Sequence, residues 1–234
     1  MTKSPQSNLS TFLVSVLQPV LDKFSKHTVP DSFTFVNKLK SLKLSQPNSC
    51  MVSFDIKSLF TNIPVVEVIE ICVKVLYHSD LKHPQMPESV CKEMLHMAVL
   101  GVEFSFDGKM YKQIDGVAMG SPLGPILANI FVGYLESKLF LNCKSPLMYL
   151  QYVDDTFVMF ENRQEGSSFL NDLNNLHKNL SFTKEEEHNN SLNFLDVCVQ
   201  RSDEGELLTK IHRKLNSEAL YVPWASFGPV KQKL

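Results

Sequence analysis

Leu147-Met148-Tyr149-Leu150-Gln151-Tyr152-Val153-Asp154-Asp155-Thr156-Phe157-Val158-Met159-Phe160 sets an acidic pair between two apolar runs. Both runs are rich in β-branched and aromatic residues, which suit a pleated, half-buried surface, so they read as two strands. The pair Asp154-Asp155 then falls where the hairpin turns. Neighbouring carboxylates on a hairpin with one buried side repel each other, and solvation, protonation or a bound cation relieves the repulsion. Asp is a common turn residue, so the pair alone reads first as a solvated hairpin tip. A hard divalent ion such as Mg²⁺ takes oxygen ligands, usually one or two protein carboxylates plus substrate phosphates. A metal site for phosphoryl chemistry therefore needs a third carboxylate from elsewhere.

Asp55 is that candidate. It ends Met51-Val52-Ser53-Phe54-Asp55-Ile56, which reads as a buried strand. In a four-element sheet this strand can lie beside the acidic hairpin and bring Asp55 to Asp154 and Asp155. Three such carboxylates can hold two metal ions roughly 3.5–4 Å apart, the clamp used for in-line nucleotidyl transfer. One ion activates a primer 3′-hydroxyl and the other neutralises the triphosphate and the leaving pyrophosphate.

Outward from these two strands the chain alternates. Thr61-Asn62-Ile63-Pro64 looks like the start of a helix in which Val65, Val68, Ile69, Cys72, Val75 and Leu76 keep helical spacing. A second helix is expected after Pro87 and ending by Gly101, with Val90, Met94, Met97 and Ala98 inward. Phe104, Phe106, Met110 and Tyr111 flank Asp107-Gly108, a good hairpin turn. The loop 120–125 opens a third helix lined by Ile126, Leu127, Ile130, Phe131, Tyr134, Leu135 and Leu139. An amphipathic helix is expected from about Ser167, with Phe169, Leu173, Leu176 and Leu180 inward. Strands over 192–201 and 206–213 follow, about Asp203-Glu204-Gly205. Residues 1–50 show weak periodicity, and there is no internal repeat. The pattern points to the α+β class, with an antiparallel sheet, helices packed on one face and the other face open.

The gross numbers exclude some classes. A chain of 234 residues with 44% hydrophobic and 21% charged residues can bury a real core. No apolar run reaches transmembrane length, no signal peptide is expected, and no membrane partner is implied. Five scattered cysteines, Cys50, Cys72, Cys91, Cys143 and Cys198, argue for a reducing compartment and against a disulfide framework or a zinc site. A net charge of −2 is not the footprint of a protein that grips nucleic acid by charge alone. Basic residues gather near both ends and acidic ones in 181–206, including Glu185-Glu186-Glu187, which reads most simply as a solvated face.

The motifs carry a resemblance. Phe54-Asp55-Ile56-Lys57-Ser58-Leu59-Phe60-Thr61-Asn62-Ile63-Pro64 resembles the first catalytic palm motif of reverse transcriptases. Gly116-Val117-Ala118-Met119-Gly120-Ser121-Pro122-Leu123-Gly124-Pro125 with Ala128-Asn129 resembles the second, and Tyr152-Val153-Asp154-Asp155 the third. His27-Thr28-Val29-Pro30-Asp31-Ser32, Phe182-Thr183, Phe194-Leu195-Asp196-Val197 and Ile211-His212-Arg213-Lys214 look like Penelope-like retroelements in particular. The similarity runs from about residue 27 onward.

The resemblance implies an RNA-directed DNA polymerase that uses Mg²⁺ or Mn²⁺, an RNA template, a DNA primer and deoxynucleoside triphosphates. It makes Asp55, Asp154 and Asp155 the catalytic metal ligands and puts Ile56, Phe60, Met119 and Gly120 at the nucleotide. Phe60 stands where the family has an aromatic steric gate that excludes a 2′-hydroxyl. Gly120 lets backbone approach the substrate closely. Lys184 lies in the region of a family lysine, and Asp196 marks structure near the primer. Gln151 departs from the Arg often found in Penelope-like proteins, and Gly228 from a frequent His. By the same resemblance, 1–50 is a partial fingers segment, 51–201 the palm, and 202–234 a primer-side hairpin with the start of a thumb connection. Fingers and thumb are thus expected to be incomplete. The rival expectation is a palm remnant that folds and at most binds nucleic acid without polymerising. Copying into a chromosome would require nuclear access, although no basic localisation run is visible.

Overall fold

Strict alternation along the central strands builds a sheet with two apolar faces. The computed structural model describes residues 5–42, 49–143, 145–202 and 206–213. In it β1 (Cys50–Ile56) lies between β5 (Asp155–Phe160) and β6 (Phe182–Glu186), with β4 (Met148–Tyr152) outside β5. The order is β4-β5-β1-β6 and every pair is antiparallel. Val52, Phe54 and Ile56 of β1, with Val158 and Phe160 of β5, turn to one side. Met51 of β1, with Phe157 and Met159 of β5, turns to the other. Side chains two apart share a face, so one register sorts both sets at once.

The first face carries the helices. α6 (Leu123–Asn142) is the central one, buried nearly all round from Leu123 to Leu139. A helix apolar on every side needs neighbours on every side. α1 (Pro5–Phe24) and α4 (Val65–Tyr77) supply them, joined by α5 (Glu88–Val99). α1 approaches so closely that a Cβ at Gly133 would lie 2.6 Å from the Phe24 carbonyl oxygen. This helix was not legible as one, because Pro19 sits inside it and Ser and Thr interrupt its apolar stripe. Leu13, Leu17 and Val20 are nonetheless fully buried at helical spacing.

The second face is not open, in contrast to expectation. α2 (Ser32–Ser41) covers part of it, together with a three-stranded sheet of β7 (Ser191–Phe194), β8 (Val197–Arg201) and β9 (Leu207–Ile211). Phe35, Phe157 and Phe194 meet there with centroids 4.8–5.8 Å apart. Such aromatic contacts add to the area they bury. An exposed row of Met51, Leu150, Phe157 and Met159 is too apolar to face water, which is why this face needs a lid. The cover stops short of Ser53 and Asp55.

Other expectations shift. Thr61 and Asn62 belong to a short helix, α3 (Leu59–Asn62), and Pro64 precedes α4 with no cap from its own side chain. The inner face of α5 is Cys91, Leu95, Ala98 and Val99, whereas Val90 and Met97 are exposed. The hairpin β2 (Glu103–Phe106) and β3 (Lys109–Lys112) turns at Asp107-Gly108 as expected, both at positive φ. α7 (Arg163–Asn174) starts earlier than Ser167 because Asn162 caps it, accepting from the Gln164 and Glu165 N–H groups. Leu176 and Leu180 lie beyond its end. The expected strand over 192–201 is two strands, broken at Leu195-Asp196 with Leu195 at φ 54°.

β6 was missed because Phe-Thr-Lys-Glu-Glu reads as polar. It is a charged edge strand, the kind that resists pairing with another chain. Beside it, Glu187 is buried rather than solvated. It accepts from Arg201 Nη2 at 2.5 Å and from the Met51 N–H at 3.3 Å, tying the smaller sheet to β1. The turn at 203–205 and the stretch 214–234, which includes Gly228, lie outside the described residues. All five cysteines are free, and among the described residues no helix is long and apolar enough to cross a membrane.

Candidate active site

β4 and β5 are joined by a two-residue turn, Val153-Asp154, closed by the Tyr152–Asp155 pair. Val153 adopts φ 55°. A β-branched residue in the left-handed region is costly, of order 1–3 kcal/mol, and persists only where its surroundings hold it. Three contacts do so. The Val153 side chain packs against the helical core. Gln151 Nε2 donates to the Val153 carbonyl at 3.0 Å. The Ile56 N–H donates to the Asp154 carbonyl at 3.0 Å.

That last bond sets the pairing of the acids. Ile56 and Asp154 form a hydrogen-bonded position of the β1–β5 ladder, so the adjacent Asp55–Asp155 pair is a non-hydrogen-bonded one. In such pairs the side chains stand closest, with Cβ atoms about 4.5–5.5 Å apart. Parity places Asp55 with Met51 and Asp155 with Phe157 and Met159, on the face that α2 and the smaller sheet partly cover. Both line a groove of about 700 Å³. Asp154, in the turn beside them, is half-buried and is not part of that lining.

The groove is acidic. Asp31, Glu185 and Asp196 join Asp55 and Asp155 in its lining, against Lys184 and His212. Asp31 caps α2, and its bond from the Thr34 N–H holds its carboxyl below the usual range. Lys184 is turned to its neighbours, donating to Ser167 Oγ at 2.9 Å and Glu186 Oε1 at 2.6 Å. Asp196 sits at the β7–β8 turn, where its carbonyl accepts from the His212 N–H at 2.8 Å.

Among the described residues no group of three or more His, Cys, Asp or Glu side chains is gathered closely enough to hold a metal ion unaided. Two facing carboxylates in an open groove still fit Mg²⁺, which takes few protein oxygens and completes its shell with water and phosphate.

Phe60 and the 113–122 loop form a second cluster. Phe60 is half-buried on α3, and its carbonyl accepts from the Val117 N–H at 2.8 Å. Met119 is 79% exposed. Gly120, at φ +89°, has open space where a Cβ would stand. The Ile56 side chain is buried in the helical core, so only its backbone can face a nucleotide. Gly116 is the glycine this loop cannot replace. It sits at φ +76°, and a Cβ there would lie 2.7 Å from the Thr61 carbonyl oxygen. Asp115 beside it accepts from the N–H groups of Gly116 at 2.9 Å and Val65 at 3.3 Å, and so caps α4 from fifty positions away. Sequence reasoning assigned neither residue a role. The Asp-Gly dipeptide was the available signal.

The telomerase reverse transcriptase of Rattus norvegicus is 30% identical over 83 residues, covering 34% of this chain and 7% of that protein. The structure of apo telomerase from Candida tropicalis truncated from its C-terminal domain superposes with TM-score 0.65 at 17% identity, covering 86% of this chain and 45% of that one. Telomerase from Candida albicans, in complex with the TWJ fragment of telomeric RNA, gives TM-score 0.66 at 14% identity, covering 86% and 37%. At these identities the structural likeness shows a shared fold alone. The chain spans less than half of either structure. Residues 6–190 match the profile of the reverse transcriptase (RNA-dependent DNA polymerase) family, and the chain belongs to that family.

Proposed function

We propose that this chain carries the palm of an RNA-directed DNA polymerase of Penelope-like retroelement type, adding deoxynucleotides to a DNA primer on an RNA template. In this reading the palm spans 51–201, 1–50 belongs to the fingers, and 202–234 leads from a primer-side hairpin towards the thumb. The observation that carries it is the Asp55–Asp155 register pair, one residue from Asp154 and open to a groove. Asp55 and Asp154 are the principal ligands, with Asp155 assisting. Bound Mg²⁺ supplies charge neutralisation at the triphosphate and activation of the primer 3′-hydroxyl.

The chain's own residues hold and select. The β1–β5 ladder fixes Asp55 against Asp155, and the strained turn sets Asp154 beside them. Phe60 packs under the sugar and excludes a 2′-hydroxyl. Met119 and Gly120 lie along the incoming nucleotide, Gly120 with no side chain to block the approach.

Primer extension with the purified chain, Mg²⁺ or Mn²⁺, an RNA template and a DNA primer tests the reading, beside Asp154→Asn. Extension by the unaltered chain and at least a hundredfold loss in the variant supports it. Equal extension by a folded Asp154→Asn overturns the metal assignment. No extension by either marks a palm that does not polymerise in this form.

A further inference from the structure

We infer that Gln151 is a positioning residue, which braces the Val153-Asp154 turn and so fixes where Asp154 and Asp155 present their carboxylates. Its bearing on the reaction rests on the proposed role of those carboxylates. The brace itself does not.

Gln151 is 1% exposed on β4. Its side chain donates from Nε2 to the Val153 carbonyl at 3.0 Å. The acceptor is a carbonyl, so only the NH₂ end of the amide can serve. The backbone of Gln151 is held from the opposite side. Its N–H donates to the His27 carbonyl at 2.9 Å, and its carbonyl accepts from the Val29 N–H at 2.8 Å. Residues 27–29 thereby add a short parallel bridge to the edge of the central sheet. A residue anchored through both backbone groups has little freedom to aim its side chain elsewhere.

The turn needs such an anchor. Val153 is in a conformation that β-branched residues avoid, and a residue at that φ relaxes when its partners are removed. A Val153 flipped back to extended geometry re-aims Asp154 and breaks the Ile56–Asp154 bond. The Gln151 amide prevents this from below, while the Ile56 N–H reports on it from the neighbouring strand. An Arg at this position would put a long, charged group where a short neutral donor suffices, so Gln here is a working alternative and not a loss. Through residues 27–29 the brace also links the α1–α2 connection to the acidic turn.

The test is amide hydrogen exchange on the full chain, comparing the Ile56 and Val52 amides of β1 in the unaltered protein, Gln151→Met and Gln151→Leu. Gln151→Met keeps the length and loses the donor. Gln151→Leu also loses the donor in a shorter apolar side chain, and covers the case in which the methionine variant does not fold. Exchange at Ile56 at least tenfold faster, with Val52 unchanged, supports the brace. Unchanged exchange at Ile56 overturns it. Equal acceleration at both amides also overturns it, because that is general loss of stability. Mn²⁺ titration of the unaltered chain and of the folded Gln151 variant, followed by electron paramagnetic resonance, reads the carboxylates themselves: Mn²⁺ binding at least fivefold weaker in the variant supports the positioning role, and equal binding overturns it. Failure of the unaltered chain to bind Mn²⁺ overturns the metal role alone.

Discussion

Asp55 and Asp155 are register partners across β1 and β5, at a non-hydrogen-bonded position where side chains come closest. Like charges directly opposite in a sheet are destabilising, by roughly 0.2–1 kcal/mol. The expected outcome is that Asp55→Asn raises stability by about 0.5 kcal/mol in metal-free, low-salt buffer. Added Mn²⁺ is expected to reverse the order, raising the melting temperature of the unaltered chain but not of the variant, since an ion that binds only the folded state stabilises it. Thermal melts with and without Mn²⁺ decide this. Equal responses of both proteins would sink the metal reading of the pair.

The two loop glycines separate sterics from conformation. Gly116 needs both a positive φ and the absence of a Cβ, whereas Gly120 needs the positive φ alone. Gly120→Ala is expected to cost about 1–2 kcal/mol, the penalty for an L-residue in the left-handed region. Gly116→Ala is expected to cost at least 1–3 kcal/mol more, because the added methyl meets the Thr61 backbone, which cannot move without disturbing α3. Urea unfolding of both variants gives the difference, and equal costs would show that the loop shifts freely away from α3.

Phe60 is half-buried against the helical core rather than locked inside it. The proposed gate therefore predicts a change in selectivity larger than the change in stability. Phe60→Val is expected to narrow the preference for deoxynucleotides over ribonucleotides by at least tenfold in primer extension, with a stability loss of about 1 kcal/mol, below the range for fully buried aromatics. Unaltered selectivity in a folded variant would assign Phe60 to packing alone.

How much of this was legible follows from what kind of signal each part depends on. The acidic hairpin and β1 were readable because short continuous apolar runs, rich in β-branched and aromatic residues and set about a short polar turn, are local features. Their side-by-side placement came from chemistry, since a metal site needs the third carboxylate that β1 supplies. β6 was not readable, because an edge strand protects itself with the same charges that mark a solvated face. α1 hid behind Pro19, a residue that ordinarily argues against a helix interior. Glu187 sat in an acidic run and is nonetheless buried against Arg201, a partner that only the folded chain supplies. Asp115 capping α4, and Gln151 bracing Val153, belong to the same class. Each depends on where a backbone group ends up, and no periodicity records that.

Glu136 shows the consequence of such hidden placement for pH. It lies on α6, buried, with Oε1 accepting from the Tyr149 hydroxyl at 2.6 Å and Oε2 without a hydrogen-bond partner. Burial pushes its carboxyl up to about 8, only partly offset by the Tyr149 bond. The folded state thus keeps a proton that the unfolded chain releases near the ordinary value of 4.5. Its contribution to stability is full below that value and is lost as pH rises towards 8, with a slope approaching about 1.4 kcal/mol per unit in that window. Above about pH 8 both states are ionised and the dependence levels off. Glu136→Gln keeps the acceptor for Tyr149 and removes the titration. Denaturant unfolding from pH 5 to 9 is therefore expected to show stability declining in the unaltered chain and a flatter profile in the variant. Parallel profiles would mean that the carboxyl is ionised throughout and that water reaches Oε2.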